Sequence, residues 1–485
     1  MKDRAFFATQ LDTAVGNGIE AAVRRKHRHR LRRLAWERAL EPDGDGIWAA
    51  GEPPPRAGCR LDVLVDGAEA FPAIAQAIEG AREFVYVMGW HVAPYFELVR
   101  GERPAVLGEL LAEAAGRVDV RVLVWAGAPL PAFHPTRAEV CEAVRTLTRR
   151  TRIRCEPDPR EHPFHCHHEK AVIVDGKVAF VGGIDMTDLA GDRFDTSEHR
   201  ARRRLGWHDV GTRLQGPAIA DVHDHFVMRW RELSGEQIPA LQPPPAAADH
   251  DVQIVRTISD GMYDAVPRGE FRVLESYFRA IRQAQRFIYL ENQFLWSPEI
   301  VELLAAKLRN PATAAFRLLI VLPARANNGQ DDTSGQLGIL AAADGGAGRL
   351  LAVTLRSLSG ERDDRLYVHA KVGIVDDRWL TVGSANLNSH SLFNDTEMNV
   401  VTTDRRLAQA TRVRLWSEHL GVDPATFAED APEDVVDTRF RPIAAEQLRR
   451  AQRGAAPTHR LLELPGVSRR SRRLLGPLVG LVDDG

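Results

Sequence analysis

The distribution of hydrophobic and polar residues predicts the same order of elements twice along the chain. In each half, a helix-like segment leads into an apolar run, and a second apolar run follows after an amphipathic stretch. We interpret the apolar runs as buried strands at 81–90, 120–125, 284–293 and 316–323, and the amphipathic stretches as helices at 105–115 and 299–309. Strands that alternate with helices predict an α/β sheet in each half.

A proline-rich stretch separates the two halves. Residues 239–249 read PALQPPPAAAD, a composition that neither a helix nor a central strand tolerates. The predicted segments are a basic N-terminal extension at 1–55, a first domain at 56–238, a linker at 239–251, a second domain at 252–425 and a C-terminal tail at 426–485. Repetition across the linker predicts two similar α/β domains, each a mixed sheet flanked by helices, related by a pseudo-twofold axis.

A repeated polar motif adjoins one predicted strand in each half. The motif is His-x-Lys-x4-Asp, and it comprises His168, Lys170 and Asp175 in the first half and His369, Lys371 and Asp376 in the second. In both halves a glycine lies seven residues after the aspartate and a polar side chain ten residues after it. With this composition one accidental match is expected in about seventy such chains, so two matched copies indicate a shared function.

The spacing of the motif predicts where its side chains point. His and Lys at positions i and i+2 of a strand share one face, so both can reach one anion. Asp175 and Asp376 fall at the predicted hairpin turns and off this row, so an orienting or turn-stabilising role suits them better than direct catalysis. Gly182 and Gly183 end the second strand of the first hairpin, where a missing Cβ lets backbone amides approach a phosphate.

Two such hairpins brought together would place two histidines and two lysines in a single pocket. One neutral imidazole can attack phosphorus while the other, protonated, gives its proton to the departing alkoxide. The lysines, with Ser384 and Asn386, would hold the non-bridging oxygens. A nucleophilic imidazole also needs an acceptor for its far nitrogen, and Asp195 and Glu397 are the predicted acceptors. Gln293 follows a strand at its carboxyl end and is predicted to line the pocket.

The composition narrows the classes of protein that this chain can be. It has 485 residues, 44% of them hydrophobic, which suffices for ordinary buried cores. Lys and Arg total 64 against 66 Asp and Glu, so no global positive charge indicates a nucleic-acid partner. The four cysteines lack paired spacing, which fits a reducing compartment. Neither a signal peptide nor a membrane span is expected, so the prediction is a cytoplasmic protein.

The motif residues resemble the phospholipase D superfamily, whose signature is this duplicated motif followed by a Gly-Gly or Gly-Ser pair. The similarity covers roughly 60–420. Segments similar to eukaryotic-type phospholipases D lie at 167–185, 191–195, 207–210 and 289–293, and segments equally similar to bacterial cardiolipin synthases lie at 369–372 and 382–387.

The resemblance implies an active site at the interface of the two domains, a covalent phosphohistidine, and neither a metal nor another cofactor. It implies that His168 is the nucleophile and His369 the acid and base. Asp185 stands where the second half has Asn386, which makes the predicted phosphate cradle asymmetric.

The favoured function is hydrolysis of the headgroup ester of a glycerophospholipid, giving phosphatidic acid. The alternatives are a phosphatidyltransferase of the cardiolipin synthase type, a nucleic-acid phosphodiesterase and a non-catalytic membrane-binding module. Near-neutral charge disfavours the nuclease, and intact His and Lys in both halves disfavour the module.

The expected partner is a phospholipid, with peripheral membrane contact and no nucleic acid, and the expected state is a monomer. The basic run at 24–33 is interpreted as a solvated helical face or, alternatively, as a surface for anionic lipid or nucleic acid.

One metal-site alternative comes from closely spaced ligands at His162, His165, Cys166, His167 and His168. Adjacent strand residues point to opposite faces, so no metal is predicted there.

Overall fold

The computed structural model describes residues 2–129, 133–160, 165–189, 191–199, 205–324, 330–358 and 366–464, with side chains described from residue 17 onward apart from 330–332 and 334. Its helices are α1 Lys2–Arg33, α2 Gly67–Glu79, α3 Leu107–Ala115, α4 Arg137–Thr148, α5 Ile219–Ser234, α6 Arg272–Gln283, α7 Pro298–Arg309, α8 Gln330–Asp344, α9 Ser389–Phe393, α10 Arg405–Leu420, α11 Pro432–Val435 and α12 Arg441–Gln452. Short 3-10 turns lie at Glu37–Ala39 and Pro424–Thr426, and a π turn lies at Val436–Phe440.

The strands alternate with these helices. They are β1 Arg56–Val65, β2 Phe84–Gly89, β3 Glu97–Val99, β4 Ala105–Val106, β5 Asp119–Trp125, β6 Arg154–Asp158, β7 Ala171–Val174, β8 Val178–Gly182, β9 Gly206–His208, β10 Val210–Gln215, β11 His250–Ile258, β12 Glu270–Phe271, β13 Phe287–Glu291, β14 Arg317–Val321, β15 Leu350–Leu355, β16 Leu366–Val368, β17 Val372–Val375, β18 Trp379–Gly383, β19 Glu397–Thr402 and β20 Leu461–Glu463.

One mixed sheet runs through both halves of the molecule. Its order is β20-β15-β14-β13-β17-β18-β19-β11-β1-β10-β8-β7-β2-β5-β6. Read outward from the central β11–β1 pair as far as β15 and β6, the two halves have the same order of strands, with antiparallel pairs near the centre and parallel pairs farther out. This confirms the predicted pseudo-twofold repeat of two α/β units.

Helices cover both faces of the sheet and bury its apolar side chains. In the first half, α2 and α3 pack on one face and α5 on the other, where Phe226 and Trp230 are buried. In the second half, α6, α7 and α8 cover one face, while α10 contributes Trp416 and the π turn contributes Phe440 to the other. Strands buried on both faces explain why the sequence shows continuous apolar runs rather than an alternating pattern.

The segments outside the sheet repeat also contact it. Residues 239–249, all within the described chain, form neither helix nor strand, and Ala247 N donates to Gly58 O at 2.8 Å. Toward the C-terminus, β20 pairs antiparallel with β15 and so extends the sheet of the second half. The bounds of the five predicted segments stay a prediction.

The basic run belongs to α1, and part of it fastens this helix to the second half. The His27 ring stacks on Phe393 at 3.9 Å, and its Nδ1 lies 2.7 Å from Glu299 Oε1. Arg30 Nε donates to Asp260 Oδ1 at 2.7 Å. The neighbouring Lys26 is exposed, so attraction to anionic lipid stays a prediction for the outer face of α1. Among the described residues, the helices lack the length of apolar sequence needed to cross a bilayer.

The motif hairpins form as the sequence predicts. β7 pairs with β8 and β17 with β18, and the turns place Asp175 and Asp376 in left-handed backbone, each at φ 53°. The Asp175 carboxylate accepts from the backbone N–H groups of 82, 83 and 84, the closest at 2.7 Å. Asp376 accepts in the same way from 285, 286 and 287. Both aspartates therefore tie a hairpin turn to the start of the neighbouring strand.

Replacing Asp175 by alanine should destabilise the fold. The substitution leaves three backbone N–H groups without their carboxylate acceptor, and we expect a loss of about 1–3 kcal/mol in the free energy of unfolding, measured by urea denaturation. The matched control is Asp62→Ala on β1, where the carboxylate is paired with the nearby Arg60 on the protein surface and a change below about 0.5 kcal/mol is expected. Equal losses for the two variants would contradict this assignment.

Candidate active site

The two motif histidines lie just before the strands on which the sequence places them. β7 begins at Ala171 and β17 at Val372, so each His and Lys occupies extended backbone that leads into its strand. This backbone is held by the opposite half of the molecule. His168 N donates to Thr396 O at 2.9 Å, and His369 N donates to His208 O at 2.8 Å. The strand prediction for the motif residues was therefore too long by three residues in each half.

Each motif histidine is oriented by a carboxylate from the other half. His168 Nδ1 lies 3.1 Å from Glu397 Oε1 at the start of β19. His369 Nδ1 lies 2.6 Å from Asp209 Oδ2, between β9 and β10. All four side chains are buried. A carboxylate on Nδ1 fixes the tautomer and leaves Nε2 for chemistry, which is the arrangement that a nucleophile or an acid requires.

The structure agrees with the position predicted for Glu397 and corrects that of Asp195. The Asp195 carboxylate lies 3.2 Å from His199 Nδ1, and the acceptor for His369 is Asp209. The reason is that the two halves correspond in backbone position and not in side-chain type. His208 and Asp209 occupy the places that Thr396 and Glu397 occupy in the other half. The available signal was an acidic residue in each segment. It directly follows the residue whose backbone carbonyl accepts a hydrogen bond from the motif histidine.

The two lysines approach the same space from opposite sides. Lys170 Nζ lies 3.3 Å from Asp185 Oδ1, and Lys371 Nζ donates to Gln293 Oε1 at 3.1 Å. A Cβ built on Gly183 would lie 3.3 Å from Lys371 Cδ and 2.4 Å from Asp209 Oδ1. Glycine at 183 therefore leaves room for the Asp209 carboxylate beside Lys371.

The remaining predicted substrate-binding residues surround this space. Asn386 Nδ2 donates to Gln293 Oε1 at 3.4 Å, and none of the described residues donates a hydrogen bond to its own buried Oδ1. Ser384 Oγ donates to Glu397 and accepts from Met398 N at 3.1 Å. Gly182 packs against Gly211 on β10, since a Cβ there would lie 2.4 Å from the Gly211 Cα. Ser384 thus supports the carboxylate that orients His168.

Trp207 and Arg193 adjoin the site, and sequence reasoning gave neither of them a catalytic role: Trp207-His208 was interpreted as structural or substrate-lining. The Trp207 ring lies 4.5 Å from the His369 ring, and the Arg193 guanidinium carbon lies 3.8 Å from the centre of the Trp207 ring. Arg193 Nη1 also lies 3.3 Å from Asp185 Oδ2. Asp185 therefore contacts two cations, Lys170 and Arg193, whereas its counterpart Asn386 is neutral.

Burial and the neighbouring cations set the charges in the pocket. Burial, with Lys371, Arg193 and Lys170 nearby, holds the pKa of His369 well below its ordinary value. Burial also lowers the pKa of Lys371 to about 7 and raises that of Asp209 to about 6. Burial tends to raise the pKa of Glu397, but contacts with His168, Lys170 and the Ser384 hydroxyl together outweigh it, so the pKa is lowered. The pocket is therefore short of negative charge, which a phosphodiester anion supplies.

The closely spaced histidines before the first motif do not converge on one point. His162 lies outside the described residues. His167 faces Asp158 and Thr396, with distances of 3.3 Å and 2.8 Å, whereas His168 faces Glu397. His165 Nδ1 lies 2.9 Å from His390 Nδ1 on α9. These different directions disfavour the metal site considered for this stretch of sequence.

Comparisons with known proteins match both halves of the chain. Residues 77–206 match the family model described as Phospholipase D, and residues 277–418 match the one described as Cardiolipin synthase, PLD-like domain. Phospholipase D A of Dictyostelium discoideum is 26% identical over 76% of this chain, which spans only 36% of that protein. Phospholipase D alpha 4 of Arabidopsis thaliana is 26% identical over 85% of this chain and 74% of its own length.

A solved structure has the same fold. The phosphatidylserine synthase of Haemophilus influenzae Rd KW20 superposes with a TM-score of 0.52 at 14% identity, covering 80% of this chain and 94% of that one. The two family models together match more than half of the chain. Each matched region contains one of the two motifs, and the motifs face each other across the pocket. The chain belongs to the phospholipase D superfamily.

Proposed function

We propose that this chain is a phospholipase D-type phosphodiesterase that hydrolyses the headgroup ester of a glycerophospholipid to phosphatidic acid. The observation that carries the proposal is the crossed pairing of His168 with Glu397 and of His369 with Asp209. This pairing prepares two imidazoles, one from each half, for opposite roles at one phosphorus atom.

In the first step, His168 Nε2 attacks phosphorus and the bond from phosphorus to the headgroup oxygen breaks. His369 gives its Nε2 proton to the departing alkoxide, so the alcohol leaves neutral and phosphatidyl-His168 remains. In the second step, His369 takes a proton from water, and the resulting hydroxide attacks phosphorus. The phosphorus–nitrogen bond breaks, and phosphatidic acid is released. Asp209 stabilises the imidazolium form of His369 at the stages that require it.

The lysines and the asymmetric cradle serve the transition state. Lys170 and Lys371 bind the non-bridging oxygens as charge develops on them. Asp185 and Arg193 hold Lys170 in place, while Gln293 and Asn386 form the neutral side near Lys371. The aspartates Asp175 and Asp376 act through the hairpin turns and do not reach the phosphate.

A lipid substrate is supported over a nucleic acid by the curated relatives and by charge. The relatives that match most of this chain are named phospholipases D. The formal charge is −2, which provides no electrostatic attraction for a polyanion. The proposal includes peripheral contact with the membrane, a monomeric state and a cytoplasmic location.

Transfer to an alcohol is the second candidate, because the second half matches the cardiolipin synthase model. The chemistry is the same until the last step, in which an alcohol in place of water accepts the phosphatidyl group. Water and alcohol then compete for one intermediate.

The product profile tests the reaction. Purified protein incubated with phosphatidylcholine or phosphatidylglycerol should release phosphatidic acid, and added 1-butanol should divert part of it to phosphatidylbutanol. His168→Ala and His369→Ala should each lower turnover by about 10⁴-fold or more, because the two groups act as a unit. Cleavage of single-stranded DNA without any lipid product would refute the lipid assignment.

Asp209→Asn should cost far more activity than Asp195→Asn. An amide at 209 no longer stabilises the His369 imidazolium or fixes its tautomer, so kcat should fall by about 10³-fold or more. Asp195→Asn, which leaves both crossed pairs intact, should change kcat by less than about tenfold when assayed below its unfolding temperature. Steady-state kinetics of both variants make the comparison, and a larger loss at 195 would reverse the assignment.

Activity should decline on the alkaline side as Lys371 loses its proton. Because burial lowers its pKa to about 7, the ammonium is present below this pH and is lost above it. We therefore expect kcat/KM to fall above about pH 7. The pH dependence of kcat should be weaker, because a bound anionic substrate stabilises the protonated form of Lys371. Lys371→Arg, whose guanidinium stays protonated, should remove this limb from the profile of its residual activity. An unchanged alkaline limb in that variant would exclude Lys371 as its source.

A further inference from the structure

A second group of charged side chains lies buried behind His369, outside the phosphate pocket. Asp66 follows β1, His208 ends β9, Glu418 lies on α10, and His199 precedes β9. One ligand atom from each of the four lies within 4.8 Å of those from the other three. Asp66 and His208 have no exposed surface and His199 is 1% exposed. Charged groups are placed so deeply only when they are paired or when they bind an ion.

The spacing of the four atoms suits ligands of one metal ion. His199 Nε2 lies 2.8 Å from Glu418 Oε1 and 3.9 Å from Asp66 Oδ2. His208 Nδ1 lies 3.1 Å from Asp66 Oδ1 and 3.4 Å from Glu418 Oε1. Ligands at about 2.1 Å from a tetrahedral ion are separated by roughly 3.4 Å. The observed distances scatter around this value, and two of them are too long for good hydrogen bonds.

The outer nitrogens of the two histidines are also held as in metal sites. His199 Nδ1 lies 3.2 Å from Asp195 Oδ2, and His208 Nε2 lies 3.0 Å from Glu291 Oε2. Histidines that bind a metal through one nitrogen usually donate the other N–H to a carboxylate, which fixes the ring and raises its basicity. Here both rings have this outer carboxylate, and both turn the inner nitrogen toward Asp66 and Glu418.

An unpartnered atom and the local charge point to a cation at the same place. Asp66 Oδ2 is buried 3.9 Å from His199 Nε2, and no residue in the described part of the chain donates a hydrogen bond to it. Four carboxylates, those of Asp66, Asp195, Glu291 and Glu418, surround the two imidazoles and favour a cation between them.

We propose that Asp66, His199, His208 and Glu418 bind one divalent metal ion of the zinc type in the interior of the protein. Two imidazole nitrogens with two carboxylate oxygens suit Zn²⁺ better than Ca²⁺, which prefers oxygen ligands throughout. The ion is enclosed and cannot touch the phosphate, so it takes no part in the proposed chemistry.

The role of the ion is to position the segment that serves His369. His208 O accepts from His369 N, and Asp66 Oδ1 accepts from Asp209 N at 3.0 Å. Two of the ligands therefore also hold the backbone of the second motif and of its carboxylate. The ion joins β1 and β9 of the first half to α10 of the second half.

Metal analysis of the full-length protein tests the proposal. Protein purified without chelators, and again after incubation with Zn²⁺ or Ca²⁺ and desalting, is measured by inductively coupled plasma mass spectrometry. We expect about one Zn²⁺ per chain in the wild type and loss of at least about 80% of it in His199→Gln and Glu418→Gln. His390→Gln, in the separate His165–His390 pair, is the matched control and should keep its metal.

Thermal unfolding of the wild type provides a measurement that does not depend on the folding of the variants. Dipicolinate should lower the melting temperature by roughly 3–8 °C, and Zn²⁺ should restore it where Ca²⁺ does not. His168→Ala, without activity, should still bind the metal, which separates this inference from the proposed reaction. Metal-free wild-type protein that takes up neither ion, or Glu418→Gln protein that retains Zn²⁺, would overturn the site. Stoichiometric Ca²⁺ without Zn²⁺ would overturn the assignment to the zinc type.

Discussion

The structure depends on the exchange of carboxylates between the halves. His168 is oriented by Glu397 and His369 by Asp209, so neither half contains the acceptor for its own histidine. The backbone follows the same rule, because each motif donates its N–H groups to a segment of the other half. Without the other half, each imidazole would lose its orienting carboxylate, and the N–H groups of the motif would bond to water instead of to a fixed carbonyl. The need for both halves is therefore a matter of hydrogen bonding as well as of shared substrate contacts.

Sequence reasoning succeeded where the determining interactions are local. The hairpins after Lys170 and Lys371 follow from short β-rich runs and turn residues, and the aspartates at their tips occupy the turns as the spacing indicates. The repeat also revealed the order of strands and helices, because a strand buried on both faces is continuous in its apolar character. Glu397 was within reach because it lies shortly after the second motif and in a polar cluster.

Asp209 was out of reach for a physical reason. It lies 160 residues from the histidine that it orients, and its neighbours Trp207 and His208 differ from the residues around Glu397. The equivalence between the two carboxylates is one of backbone position, which a comparison of side-chain types does not detect. Asp195 was chosen because it is acidic and near in sequence, but its partner is His199. Pairings that depend on how two lobes meet follow from the assembled sheet and not from the local pattern.

The continuous sheet limits how the molecule can move. β1 pairs with β11 at Arg56 and Cys59, on either side of an irregularity in register, and each of these strands also pairs with a neighbour on its other side, β10 or β19. Opening of the two halves away from each other would break the hydrogen bonds between β1 and β11. In enzymes whose lobes move about a flexible hinge, opening breaks no such strand pair. For the proposed lipid substrate, the way in and out leads past the loops at the rim of the pocket. A sheet shared by both halves favours a fixed separation of the two imidazoles, and passage across that rim is then a natural point of control.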